Sequence, residues 1–100
     1  MNQLEKARLT IDRVDREIAR LYEERMDTLK DVAAYKMEHG KPVVDHSREE
    51  AIIERNAGYI KNPAYRDSYV RLLKFIIKES CDWQRAIAAK DKIAYQGVVG

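Results

Sequence analysis

The residues that promise chemistry in this chain are polar side chains standing where helical periodicity asks for apolar ones. One heptad row reads Leu4, Ile11, Ile18, Arg25, Val32, so Arg25 takes a seam position that its neighbours fill with aliphatic side chains. At 100° per residue, Lys36 lies only about 20° around the helix from Arg25. Arg8 follows Ala7 at the edge of the same stripe. An isolated charge on a buried stripe is very costly, so these cations need partners. Acidic side chains could pair with them, or Arg8 and Lys36 could extend their stems to water. Arg25, far from either helix end, has no such escape.

A second stretch repeats the anomaly. Leu73, Ile77, Ser80, Gln84 and Ile87 follow 4-3-4-3 spacing, which puts Ser80 and Gln84 on the apolar face of a helix. A serine there can bond back to its own helix. Gln84 is larger and must find partners for both ends of its amide. Two cations, a hydroxyl and an amide facing inward point to a polar pocket inside a helical bundle. Its ligand would be an anion, a carboxylate or phosphate, that also offers a hydrogen-bond acceptor.

Other chemistries find little support. In Asp45-His46-Ser47-Arg48-Glu49 the plain reading is a helix start, with Asp45 or Ser47 as cap and Glu49 favoured at the positive end. His46 has no second histidine at metal-ligand spacing, since the other one is His39. No glycine-rich phosphate loop and no Ser-His-Asp order occurs, and Cys81, beside Asp82, reads as inert. A single cysteine also rules out an internal disulfide framework. Nineteen basic against seventeen acidic residues leave a net charge of +2, and the two signs interleave, which argues against a nucleic-acid partner. No run approaches the ~18 apolar residues of a membrane span, and the first residues show no secretory signal. Those features favour a cytoplasmic protein.

Helices must position these residues. From Leu4 to His39 the chain has no Gly or Pro, is rich in strong helix formers, and carries a second apolar row at Ala7, Val14 and Leu21. Gly40 and Pro42 then stop it. A second helix is expected from Arg48 to about Ile60, starting either at a Ser47…Glu50 capping box or at Asp45, with Ile52, Ile53 and Ala57 inward and Gly58 near its end. Asn62-Pro63 leads to a third helix, Ala64 to Ala89, with an apolar stripe of Tyr69, Val70, Leu73, Ile76, Ile77, Ile87 and Ala88. The domain is therefore expected to span residues 1–90. The tail, 91–100, breaks the pattern, and Ile93-Ala94-Tyr95 reads as a short strand with nothing to pair with.

A helix of about 36 residues is about 54 Å long, against a radius of gyration of about 13 Å for a compact chain of this size. Two shorter helices cannot cover its stripe. The expectation is an all-α chain of three helices, forming a homodimer with the long first helices paired.

Arg8, Glu24-Arg25 and Lys36 along the first helix are followed by Pro42-Val43-Val44-Asp45-His46-Ser47-Arg48-Glu49, then by Ile76-Ile77-Lys78-Glu79-Ser80-Cys81-Asp82-Trp83-Gln84. In this order the set resembles the all-helical chorismate mutases, over about residues 4 to 88. The resemblance implies an intertwined helical dimer that converts chorismate to prephenate without a cofactor, in the aromatic amino-acid branch leading to phenylalanine. It implies that Arg25 and Arg8 bind the two substrate carboxylates, Arg8 reaching in from the other subunit. Lys36 and Gln84 would donate to the ether oxygen, Glu49 would hold the ring hydroxyl, Asp45 and Arg48 would shape that end, and Ser80 would assist a carboxylate. Lys92-Ile93-Ala94-Tyr95-Gln96-Gly97 is similar to the opening of a prephenate dehydratase domain, which implies a mutase domain cut from a bifunctional enzyme. An isochorismate pyruvate-lyase shares the fold and site type. A non-catalytic helical dimerisation module is the alternative outside enzymes.

Overall fold

The first helix, α1, runs from Gln3 to Glu38 in a computed structural model that describes the backbone of residues 1–99 and the side chains of residues 1–90. Asn2 starts it, its Oδ1 accepting from the Glu5 N–H at 2.8 Å. Its end is set by Gly40, whose φ of +62° is the left-handed conformation that closes a helix. The Lys41 N–H donates to the Lys36 carbonyl at 2.7 Å and the Gly40 N–H to Met37 at 3.4 Å, which satisfies two of the terminal carbonyls.

After Pro42 the chain bends at Val43, and Asp45, in an extended conformation, caps the next helix. Its Oδ1 accepts from the Arg48 N–H at 3.0 Å, so α2 spans His46–Ala57. Of the two possible caps, Asp45 is the one used, and α2 lies two to three residues earlier than its sequence-based bounds. Gly58 ends it. Asn62 then accepts from the Ala64 N–H at 3.0 Å and starts a single 3-10 turn, Pro63–Tyr65, that feeds α3, Arg66–Val99.

The strand expected at Ile93-Ala94-Tyr95 does not form, because α3 continues through these residues. The segment finds no partner strand among the described residues, while no Gly or Pro stands between Pro63 and Gly97 to stop a helix. The side chains of residues 91–100, on which the likeness to a dehydratase domain rests, lie outside the described residues.

α3 is the centre of the molecule and packs against α1, α2 and the 3-10 turn. Leu73 and Ile77 are buried, and Tyr69, Val70, Ile76, Ile87 and Ala88 are half-buried, as their periodicity requires. On α1 the buried residues are Leu29 and Ala33, both in its C-terminal half. The other half is bare: Ile11 and Ile18 are 55% and 57% exposed, and Leu4 and Leu21 are similarly open. The radius of gyration is 18.2 Å, with extents of 65 × 30 × 15 Å, well above the roughly 13 Å of a compact chain of this length. One copy thus leaves most of its longest apolar stripe in water.

Candidate functional site

A cavity of about 350 Å³ lies where the C-terminal half of α1, the start of α2 and the middle of α3 converge. Seven of the eight candidate residues line it: Arg25, Lys36, Asp45, Arg48, Glu49, Ser80 and Gln84. Each element delivers its share for a local reason. α1 presents Arg25 and Lys36 on one line because they are eleven residues, about three turns, apart. α3 presents Ser80 and Gln84 one turn apart on the face that packs against α1. Asp45 ends the link from α1 and, as cap, fixes the first turn of α2, from which Arg48 and Glu49 project.

The polar contacts are specific. Lys36 Nζ donates to the Val43 main-chain carbonyl at 2.7 Å and to Gln84 Oε1 at 2.9 Å. An ammonium has three protons and no acceptor, so one donor remains for a ligand. The same bond fixes the Gln84 amide, since only its oxygen can face an ammonium. Gln84 is 5% exposed, and no buried side-chain nitrogen or oxygen among the described residues lacks a partner. Its amide nitrogen makes no hydrogen bond among the described residues and so keeps some exposure, in a residue that lines the cavity. Arg25 Nη1 donates to Ser80 Oγ, and the Ser80 hydroxyl donates in turn to the Ile76 carbonyl at 2.8 Å. Ser80 bonds back to its own helix, as a serine on that face can, and in addition it steadies a guanidinium, a contact the sequence did not suggest.

The cations are not neutralised by the protein. Among the described residues, no carboxylate oxygen lies within 4.0 Å of Arg25, Lys36 or Arg48. The ion pairs that do form lie on the outer surface, with Arg20 between Glu17 and Glu24 and Asp82 between Lys78 and Arg85. Glu49, the cavity's half-buried carboxylate, faces the exposed His46 Nδ1 at 3.4 Å and accepts from the Cys81 thiol at 3.8 Å. Three cations against two carboxylates in one partly enclosed lining, with none of the cations in ion-pair contact, make a site suited to an anion.

Arg8 is not among the lining residues. It sits on the exposed N-terminal half of α1, 17 residues and so about 26 Å along the helix axis from Arg25. No arginine spans that distance within one chain.

Two lining contributions escape a reading of residue types. Val43 acts through its backbone carbonyl, which any residue would offer, so its side chain carries no signal. Cys81 adjoins Ser80 in sequence and reaches the wall of the same cavity. It is buried, and that burial pushes its thiol above the usual value, with the Glu49 carboxylate adding to the effect. The thiolate is the reactive form. Alkylation by iodoacetamide at mildly alkaline pH is thus expected to be at least about tenfold slower in the folded protein than after unfolding. A single cysteine makes the rate readable from intact mass, and equal rates in the two states would contradict the buried placement.

Among the described residues no group of three or more His, Cys, Asp or Glu is arranged to hold a metal ion, and no helix is long and apolar enough to cross a membrane. Comparison with curated proteins gave no match, and neither did comparison with solved structures. Comparison with protein families matches residues 7–85 to chorismate mutase type II. That span opens one residue before Arg8, closes one residue after Gln84 and covers more than three quarters of the chain, which therefore belongs to the chorismate mutase type II family.

Proposed function

We propose that the chain catalyses the rearrangement of chorismate to prephenate, a cofactor-free isomerisation in cytoplasmic aromatic amino-acid biosynthesis. The observation that carries this reading is a cavity with three unpaired cations beside an amide whose nitrogen end is open. Chorismate is a dicarboxylate joined through an enol-pyruvyl ether. The reaction breaks the ether carbon–oxygen bond while a carbon–carbon bond forms in the same molecule. No nucleophile and no proton transfer are needed. The catalyst must hold a flexible dianion in its folded, reactive conformer and stabilise the negative charge that grows on the ether oxygen.

Each residue has a role in that scheme. Arg25, steadied by Ser80, binds one carboxylate. The free proton of Lys36 and the amide nitrogen of Gln84 donate to the ether oxygen, an interaction that strengthens as charge develops there. Glu49 accepts from the ring hydroxyl, with Asp45 and Arg48 enclosing that end. The second carboxylate is taken by Arg8 of the partner subunit. If two α1 helices pair antiparallel over their whole length, the axis passes between Arg20 and Leu21, and residue 8 of one helix falls opposite residue 33 of the other. Position 33 lies between Val32 and Lys36, which both line the cavity. The same pairing would cover the bare stripe at Ile11 and Ile18.

The deciding assay follows the loss of chorismate absorbance with purified protein, beside pyruvate release from isochorismate. Prephenate formation is expected. Pyruvate from isochorismate without prephenate would replace the reading with a lyase, and neither product would leave a dimerisation module. Sedimentation should report a species of about twice 11.7 kDa. A folded, active monomer at micromolar concentration would refute the shared site.

A further inference from the structure

We propose that Gly40 is a positioning residue for Lys36, acting through a clasp that ties both ends of this lysine to the link between α1 and α2. The role assigned to the clasp in catalysis rests on the proposed mutase reaction; the clasp itself does not.

Lys36 is held twice by the segment that follows it. Its backbone carbonyl accepts from the Lys41 N–H at 2.7 Å, and its ammonium donates to the Val43 carbonyl at 2.7 Å. The chain must reverse between those two contacts. It does so at Gly40, the only residue with positive φ among those described. A Cβ built on Gly40 meets nothing within 4 Å. Space is therefore free at this position, and what the fold requires of it is the left-handed backbone conformation alone.

Without that turn Lys41 cannot reach back to Lys36, and the Val43 carbonyl loses its place above the cavity. The ammonium would keep the Gln84 oxygen as its one protein acceptor and swing about it, and the direction of its third proton would no longer be set. Val43 lines the cavity directly, and two residues later Asp45 caps α2. The link thus carries register from the end of α1 to the residues at the start of α2. Gly40 does not itself line the cavity, so its effect on the site passes through the link that it turns and the lysine which that link holds.

The test is a series at this position: Gly40→Asn, Gly40→Ala and Gly40→Val. Asparagine tolerates the left-handed region, alanine is penalised there without a clash, and a β-branched side chain is penalised most. Two readouts are taken on each full-length protein. The first is acetylation of Lys36 by a limiting reagent, read by peptide mass spectrometry against exposed Lys74 as internal reference. It needs no substrate. Labelling should rise about five- to thirty-fold in Gly40→Ala and further in Gly40→Val, while Gly40→Asn stays within about twofold of the parent. The second is kcat and KM for chorismate, where kcat should fall in the same order and KM should move less.

Unchanged Lys36 labelling in both Ala and Val variants would overturn the clasp, and so would an Asn variant as damaged as Ala. Labelling that follows the series while kcat does not would overturn the catalytic role. A variant that unfolds betrays itself by equal labelling of every lysine, and the Ala–Asn comparison then decides. If the parent protein has no mutase activity, the proposed reaction fails while labelling still decides the clasp.

Discussion

Two inactive proteins, Arg8→Ala and Arg25→Ala, are expected to regain activity when mixed, unfolded and refolded together. In the proposed site each substitution removes a cation from one substrate carboxylate. Breaking a buried, hydrogen-bonded charge pair costs about 2–5 kcal/mol, so each variant should lose about 30- to several-thousand-fold in kcat/KM. Arg25 lines the cavity of its own chain, whereas Arg8 lies about 26 Å away along α1. In a mixed dimer, the subunit that keeps Arg25 meets the subunit that keeps Arg8, and one site of the two is intact. Random reassociation makes half the dimers mixed, so activity should return to about a quarter of the wild-type value per subunit. No recovery in a mixed dimer shown by mass to have formed would mean that the two arginines do not share a site. The Arg25→Ala protein carries a further expectation, because Ser80 keeps its bond to the Ile76 carbonyl and α3 is left intact. Its thermal stability should stay within about 1 kcal/mol of the parent while its activity collapses.

Most of the cavity was legible in the sequence because a helix is nearly one-dimensional. A period of 3.6 residues fixes which side chains share a face, so Arg25 and Lys36 on α1, and Ser80 and Gln84 on α3, stood out as polar intrusions before any packing was known. Their meeting follows from α3 packing against α1, which the matching apolar stripes also predict. The cap of α2 was harder. Asp45 and Ser47 both fit locally, and the choice fell to the link after Pro42, which leaves Asp45 extended with φ −129° and ψ 92°. The tail misled for a different reason. Ile93-Ala94-Tyr95 has β-favouring composition, but propensity is a weak force beside a helix already propagating into it. The main-chain contact from Lys36 to Val43 could not be read at all, since a backbone carbonyl has no residue signature. Arg8 is the opposite case: its type and position in the first helix were plain, while the place proposed for it in the site depends on a second copy of the chain.

The contact between Lys36 and Gln84 sets up the sharpest test of mechanism, a Gln84→Glu protein that should be poor at neutral pH and improve as the pH falls. In the parent, Gln84 Oε1 accepts from Lys36 at 2.9 Å, which leaves the amide nitrogen as the donor that the proposed reaction assigns to the ether oxygen. That amide does not titrate between about pH 5 and 8, so it contributes no pH dependence of its own. A glutamate at this position offers a donor only while protonated. Once ionised, it places a negative charge beside an oxygen that is itself becoming negative in the transition state. It also draws the Lys36 ammonium toward itself. Loss of one such donor typically costs a factor of about 10²–10³ in kcat. Burial would push the new carboxyl up from its usual value and Lys36 would pull it down, so the direction of the profile is fixed although its midpoint is not. Above the midpoint, kcat/KM should rise about tenfold for each unit the pH falls, following the protonated fraction. On the acid side, the exposed ion pairs of α3 add little to stability and keep their charges through most of the range. Hydrogen bonding and charge from Lys78 hold the Asp82 carboxyl below its usual value. Its pairs with Lys78 and Arg85 are therefore complete above the ordinary carboxylate range and fail only as the pH drops through the lowered value. A flat profile with full activity in Gln84→Glu would remove Gln84 from the ether oxygen and leave it a satisfied core amide bonded to Lys36.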